Sequence, residues 1–407
     1  MLKPNIRFSK FDGDFKKIKL GKLASKVGSG STPKGGSSTY VSIGIPLIRS
    51  QNVKDGYLDE TDFVKIDLNT HSKMKSSHVY PNDVLLNITG ASIGRSCVVP
   101  KHFIEGNVNQ HVCIIRPKNK ELVSTYLNYY LSSKYGQKQI NISQAGGGRE
   151  GLNFEAIRGF NIPITSDTEQ QKIADFLTAV DTKINQLTEK HRLLKEYKKG
   201  VMQQIFSQQL RFKDKDGKTF PEWKEYAFSD FLVSKIRKTP KPKEHYLSLG
   251  VRSHVRGIFH KPNFAPEDIA LDELYAVKKD DLIVNITFAW EGAIAIASHD
   301  DDGGLVSHRF PTFEFKRSKA IPEYFVHIIQ DPKLRYILQN ISPGGAGRNR
   351  VLNKKDFMCI QWSMPSVQEQ QKIAQFLQAL DSKIAAVSEQ IEQTKQFKKG
   401  LLQQMFV

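Results

Sequence analysis

Along two stretches of the chain, apolar positions recur by alternating steps of four and three. Ile173, Leu177, Val180, Ile184, Leu187, His191, Leu194, Lys198, Val201 and Ile205 follow the rule without a break. So do Ile373, Leu377, Leu380, Ile384, Val387, Ile391, Thr394, Lys398, Leu401 and Met405. Such steps keep one stripe of a helix facing one way, as in the seam of a coiled coil. Ahead of each stripe stand a proline and a Ser-x-x-Glu capping box: Pro163 with Ser166 and Glu169, then Pro365 with Ser366 and Glu369. The spacing predicts two helices of roughly 38 residues, about 57 Å each at 1.5 Å per residue. A helix of that length outruns one small core and needs a partner. The economical partner is the other helix, antiparallel, with one globular domain at each end; packing of each helix on its own domain, or a homodimer seam, are the alternatives. The polar seam members His191, Lys198, Thr394 and Lys398 are read as setting register. The Gln- and Lys-rich outer faces are read as solvated surface, and as the place where a partner protein would dock.

The two stretches are copies of one another. Residues 169–206 and 369–406 match at 20 of 38 positions, a constant offset of 200. A period that long is no solenoid repeat and marks a duplicated module. Fainter echoes precede it: Asp-Val-Leu-Leu-Asn-Ile-Thr at 83–89 returns as Asp-Leu-Ile-Val-Asn-Ile-Thr at 281–287. An Asn-Ile-Ser, a Gly-rich stretch and a Leu-Asn pair close both segments, at 141–153 and 340–353. The chain therefore divides into a first globular domain (1–162), a spacer helix (163–210), a second globular domain (211–363) and a second spacer helix (364–407). The globular parts read as mixed α/β with strands predominating. Apolar runs at 84–88, 112–115, 282–286 and 293–297 are bounded by Gly, Pro, Asn and Asp, and helical pieces fall near 123–131 and 323–330. The fold class expected is mixed α/β, two strand-rich domains separated by two long antiparallel coiled-coil helices in a pseudo-two-fold repeat.

Charge changes this picture from architecture to partner. Sixty Lys and Arg against 42 Asp and Glu leave a net charge of +18, which points to a polyanion. Polar loops on a strand scaffold suit groove recognition, since they can carry varied side chains without disturbing the core. In the first domain the candidates are Lys34 after the Gly-rich turn at 28–33, Arg49, Gln51 and Asn52, then Thr89 and Arg95, Asn109, Gln110 and His111, and Arg149. In the second they are Arg252, His254 and Arg256, Thr287 and Trp290, His308 and Arg309, and Arg348, Asn349 and Arg350. Arg, Asn and Gln match base edges, whereas Lys, Ser and amides near Gly match phosphates.

Signatures of catalysis are missing. No phosphate loop, Rossmann fingerprint, His-Glu-x-x-His, Cys-x-x-Cys or Asn-Pro-Pro-aromatic motif occurs, and Glu222-Trp-Lys224 has only the spacing of part of a nuclease motif. Cys97, Cys113 and Cys359 stand apart among apolar neighbours and read as reduced packing residues. With 39% hydrophobic residues and no long apolar run, a membrane protein is not expected. The first residues lack the apolar stretch of a signal peptide, so a cytoplasmic location is expected.

The paired Glu-Gln-Gln-Lys-Ile-Ala-x-Phe-Leu segments at 169 and 369, with their Lys-Lys-Gly-x-x-Gln-Gln endings, resemble the two constant regions of the specificity subunits of type I restriction-modification systems. The Gly-Ser-Thr-Pro turn at 30–33 is of the same family type; the second domain has Lys-Thr-Pro-Lys-Pro at 238–242 instead. The resemblance implies two target recognition domains, each reading half of a split double-stranded DNA site, with the helices as a ruler between halves. It implies two methyltransferase subunits and restriction subunits as partners, with S-adenosylmethionine, ATP and Mg²⁺ bound by them and no cofactor in this chain. An RNA-binding or coiled-coil scaffold protein is the alternative of a different class.

Overall fold

In a computed structural model, residues 3–144, 151–344 and 350–407 are described. They form two compact units, Met1–His191 with Val387–Val407, and Arg192–Ala386. Each unit takes a stretch from both long helices, Asp167–Phe206 and Val367–Gln404.

In the first unit, the strand Val84–Asn87 is central to an antiparallel sheet ordered Ala24–Ser29, Val112–Pro117, Val84–Asn87, Ser96–Val98. Its run of four apolar or buried residues does not alternate with polar ones, and the reason is burial on both faces. Val84 and Leu86 join the helix-side core with Cys113 and Ile115; Leu85 joins Cys97, Val112 and Ile114 under a second sheet. Successive side chains of a strand point to opposite faces, so a strand between two apolar layers reads as one continuous run. The second sheet is ordered Val64–Ile66, Ile45–Ile48, Gly106–Val108, His78–Val79, with the central two strands parallel. Helices Ser124–Ser132 and Lys134–Gln144 cover the other side, and Lys16–Lys19 pairs antiparallel with Asn161–Ile164 to tie the start of the unit to the strand before the long helix.

The second unit repeats the plan. Leu232–Ser234, Thr312–Phe315, Leu282–Val284 and Ile294–Ile296 form the antiparallel sheet, again with Leu282 and Val284 on one core and Ile283 on the other. Its second sheet has the order Lys238–Pro240, Glu273–Ala276, Leu305–Val306, Tyr246–Val251, Ile258–Phe264, one strand more than in the first unit, with Leu305–Val306 and Tyr246–Val251 parallel.

The seam is as its spacing predicts. Ile173, Leu177, Val180, Leu187, Lys198, Val201 and Ile205 are buried and the remaining first-copy seam positions half-buried; the second copy follows suit. Within the first unit Lys398 Nζ lies 2.6 Å from Asp181 Oδ1, and within the second Lys198 Nζ lies 2.6 Å from Asp381 Oδ1. In each unit the first part of one helix thus lies against the last part of the other, the antiparallel arrangement. The two lysines make equivalent ion pairs, each with the aspartate 200 residues from the other pair's. The stripe is covered from within the chain, which removes the ground for a homodimer seam.

Two details differ from expectation. In the capping boxes, Ser166 and Ser366 accept the backbone N–H of Glu169 and Glu369 at 3.3 Å, but neither glutamate side chain reaches back to the cap. Both carboxylates are buried and clamped instead by arginines from distant segments. Arg7 donates twice to Glu169 at 2.7 Å; Arg211 donates to Glu369 at 2.9 and 3.2 Å, joined by the Trp223 indole N–H. Those hydrogen bonds raise both guanidinium pKa values. The neighbouring Gln170 and Gln370 are not surface residues either. Each accepts a backbone N–H, from Val123 and Ile321, and donates to two carbonyls, so the helix start is fastened to its globular domain by buried amides. The other correction concerns Cys359, which is exposed at the end of the short helix Lys354–Met358 and packs no core. Cys97 and Cys113 are buried as expected, and burial pushes each thiol up to about 12. Among the described residues, no helix is long and apolar enough to cross a membrane.

Candidate nucleic-acid interface

The predicted loops of the first unit meet at one end of its paired sheets because the sheets hold their bases together. Asn109 N–H donates to the carbonyl of Ile48, Ile88 N–H to His111, and the Asn87 amide to the Ser50 carbonyl. These bonds gather the turns after Ile45–Ile48, Val84–Asn87 and Gly106–Val108. At their tip stands an ordered chain. Thr32 donates to Gln110 Oε1, which places an amide N–H of Gln110 against His111 Nε2 at 3.1 Å. That ring nitrogen must therefore accept, the proton sits on Nδ1, and Nδ1 donates to Thr89 Oγ1 at 2.5 Å. Asn109 supports the turn from below, its Oδ1 accepting the His111 N–H at 3.1 Å. Gly30 admits the whole arrangement: a Cβ there would stand 1.7 Å from the Val108 carbonyl oxygen, so only glycine lets the turn bring Thr32 to Gln110.

Beside this chain, Gln51 donates to Asp62 Oδ2 at 2.7 Å and Arg49 reaches the same carboxylate at 3.4 Å. Asn52 is different in kind. It is buried, its Oδ1 accepts the Arg49 N–H and its amide donates to the carbonyls of Asp59 and Asp62. Its hydrogen-bonding capacity holds the loop and leaves no edge for a base. Arg95 lies 3.9 Å from Asp55, on a cavity it shares with Tyr129 and Lys398. Lys34 is exposed just beyond Thr32.

The second unit builds the same frame with other side chains. Ile286 N–H donates to the Arg309 carbonyl as Ile88 does to His111, and Ser307 Oγ accepts the Arg309 N–H at 3.4 Å where Asn109 serves His111. Arg309 Nη1 then donates to Thr287 Oγ1 at 3.3 Å, so His111 and Arg309, and Thr89 and Thr287, occupy equivalent places. Trp290 fixes its indole N–H on the Thr287 carbonyl at 3.2 Å, and the guanidinium of Arg350 lies 5.4 Å from its ring. The turn carrying Arg252, His254 and Arg256 docks on this group through Ser253 Oγ, which donates to Glu291 at 2.6 Å. Arg252 lies over Phe259, His254 accepts from Arg335 at 3.3 Å, and Arg256 and His308 are exposed. Arg149, Arg348 and Asn349 lie outside the described residues. The exits of both Gly-rich stretches nonetheless land at the frame: Leu152 N–H donates to Ile88 and Leu352 N–H to Ile286.

Beneath each frame is a buried aspartate held by an arginine. Arg116 donates to Asp83 at 2.7 and 2.8 Å; Arg237 donates to Asp281 at 2.6 and 3.1 Å and also to Glu314. Burial raises the Asp281 pKa, and Arg237 opposes that rise. Sequence reading missed Arg7, Arg211, Asp62 and Arg335. Only the first two left a signal, an Arg-Phe pair ahead of each copy at 7–8 and 211–212.

Comparison with known proteins places this frame in a family. The family model described as type I restriction modification DNA specificity domain matches twice, at residues 12–195 and 221–396. The chain is 21% identical to the type I restriction enzyme StySPI specificity subunit of Salmonella potsdam, over 85% of this chain and 77% of that one. It is 22% identical to the type I restriction enzyme MjaVIII specificity subunit of Methanocaldococcus jannaschii, over 88% and 84%. In fold it is similar to the S subunit of a type I restriction-modification system from M. genitalium, with a TM-score of 0.59 at 15% identity, covering 100% of this chain and 99% of that one. Since the family model matches both halves of the repeat, and together most of its length, the chain belongs to the type I restriction-modification DNA specificity family.

Proposed function

We propose that this chain reads a split double-stranded DNA sequence, one half-site per unit, as the specificity subunit that directs adenine methylation and restriction by a type I complex. The observation that carries the reading is the duplicated frame. The same backbone turn, with the same threonine, presents Asn109-Gln110-His111 in one unit and Ser307-His308-Arg309 in the other. Two copies of a scaffold with different exposed donors and acceptors are what two different half-sites require. The net charge of +18 supplies the sequence-independent attraction to phosphate.

In this reading the chain is a non-catalytic recognition component acting in the cytoplasm. Methyltransferase subunits bring S-adenosylmethionine, and restriction subunits bring ATP and Mg²⁺. Arg49, Gln51, Thr89, Gln110 and His111 contact one half-site; Thr287, Arg309, Trp290 and Arg350 contact the other. Lys34, Arg252, Arg256 and His308 serve the flanking phosphates, and Arg149, Arg348 and Asn349 are candidates from the Gly-rich stretches.

The test is co-expression of this chain with its methyltransferase subunit and mapping of adenine methylation across random-sequence DNA. One motif of two defined blocks around a fixed spacer is expected, and exchange of residues 1–160 for those of a relative should change one block only. Methylation with the same pattern whether or not this chain is present would overturn the proposal.

A further inference from the structure

We infer that the two units read chemically different bases: Gln110 reads an adenine in the first half-site and Arg309 a guanine in the second. The inference rests on the reading of the chain as a DNA specificity subunit and names what each half selects. Both side chains are exposed, both stand on the equivalent turn, and both are pre-oriented by a neighbour.

Gln110 has one amide N–H committed to His111 and one lone pair of Oε1 committed to Thr32. Left over are one N–H and one lone pair, on adjacent atoms of one planar group. That donor–acceptor pair complements adenine, which offers N7 as acceptor and N6–H as donor in the major groove. Guanine, with acceptors at both N7 and O6, would set Oε1 against O6.

Arg309 has the opposite character. One of its Nη1 hydrogens is committed to Thr287 Oγ1, and the remaining guanidinium hydrogens are all donors. A donor-only fork matches the two acceptors of guanine and meets the N6–H of adenine with repulsion. The amide and the guanidinium stand one place apart on the same backbone turn, Gln110 held by Thr32 and His111 and Arg309 by Thr287.

The experiment is selection from a random duplex library by the full chain in complex with its methyltransferase subunit, for wild type, Gln110→Ala, Gln110→Arg, Arg309→Ala and Arg309→Gln. Wild type should enrich an A·T pair in one half-site and a G·C pair in the other. Gln110→Ala should relax the A·T position by about tenfold or more, and Arg309→Ala the G·C position likewise, each without touching the other half. Gln110→Arg should shift its position toward G·C, and Arg309→Gln toward A·T. Both side chains are exposed and leave the cores intact, so a thermal melt matching wild type accompanies each measurement. Alanine variants that lose affinity evenly across all sequences, with a shallower salt dependence, would make these residues phosphate contacts and overturn the inference while leaving the specificity reading standing. A wild-type selection that enriches no sequence would sink both.

Discussion

Acid should weaken the second unit through a single imidazole. His327 sits on the helix Pro322–Ile328 and is 2% exposed, and its Nδ1 has no hydrogen-bond partner among the described residues. Burial, reinforced by the nearby ammonium of Lys198 and opposed by Asp381, pushes its pKa down from 6.5 to about 4. In the unfolded chain the ring titrates near its ordinary value, about 6.5. Between those two values the unfolded state holds a proton that the native state does not, so stability rises with pH across this window. The contribution is fully present above about pH 6.5 and is lost as pH falls toward 4. At pH 5.5 the unfolded ring is largely protonated and the native ring almost wholly neutral, which lowers stability by about 1.4 kcal/mol relative to pH 8; at pH 4 the loss reaches about 3 kcal/mol.

The assay follows from where the tryptophans lie. Trp223, Trp290 and Trp362 all belong to Arg192–Ala386, so indole fluorescence during urea unfolding reports this unit alone. Carboxylates also lose stabilisation in acid, which is why the quantity to measure is the difference between wild type and His327→Phe. The variant has no titrating ring and no orphan nitrogen. Between pH 8 and 5.5 wild type should lose about 1.4 kcal/mol more than the variant, read as a shift in urea midpoint at constant slope. If the two proteins show the same pH dependence, His327 is not held neutral and the argument from its burial is wrong.

Two further outcomes are expected. Arg211→Met should cost the second unit about 3 kcal/mol, because it strands the buried Glu369 carboxylate with the Trp223 N–H, and the double variant with Glu369→Gln should recover much of that loss. Urea unfolding of the four proteins of the cycle decides this, and strictly additive effects would show that the clamp is not a coupled pair. A thiol reagent should label one cysteine quickly in the native chain, Cys359, and all three in urea, since the other two thiols are buried and their pKa values raised. Rapid labelling that persists in Cys359→Ser would contradict the burial of Cys97 and Cys113.

What was legible in the sequence was whatever repeats locally. The seam could be read because every fourth or third position meets the same partner surface over ten positions, and the central strands could be read because burial on two faces leaves an unbroken apolar run. The second sheets were not legible. Ile45–Ile48 contains a proline, Gly106–Val108 has three residues, and such fragments are too short to declare a period. The glutamates of the capping boxes were misread because Ser-x-x-Glu describes only what is available locally, and the clamp comes from 162 and 158 residues away. Asn52 resembled a base reader by residue type, yet a loop whose backbone polar groups are buried needs an amide inside it more than at its surface. The Arg-Phe pairs at 7 and 211 went unseen because their offset is 204, not the 200 of the helices.

These errors share a physical direction that explains how the molecule can diverge. The residues that recur between the copies include those with buried polar atoms: Glu169 and Glu369, Gln170 and Gln370, and Asp83 and Asp281 beneath the turn. Changing any of them strands a hydrogen-bonding partner away from water, at a cost of about 1–3 kcal/mol or more. Gln110 against His308, and His111 against Arg309, differ freely because the backbone bonds that place them come from Ile88 and Ile286, not from the side chains themselves. An exposed side chain on a frame fixed by backbone and buried amides can be exchanged with little effect on folding. The same separation lets one duplicated module carry two different readouts on helices that stay alike.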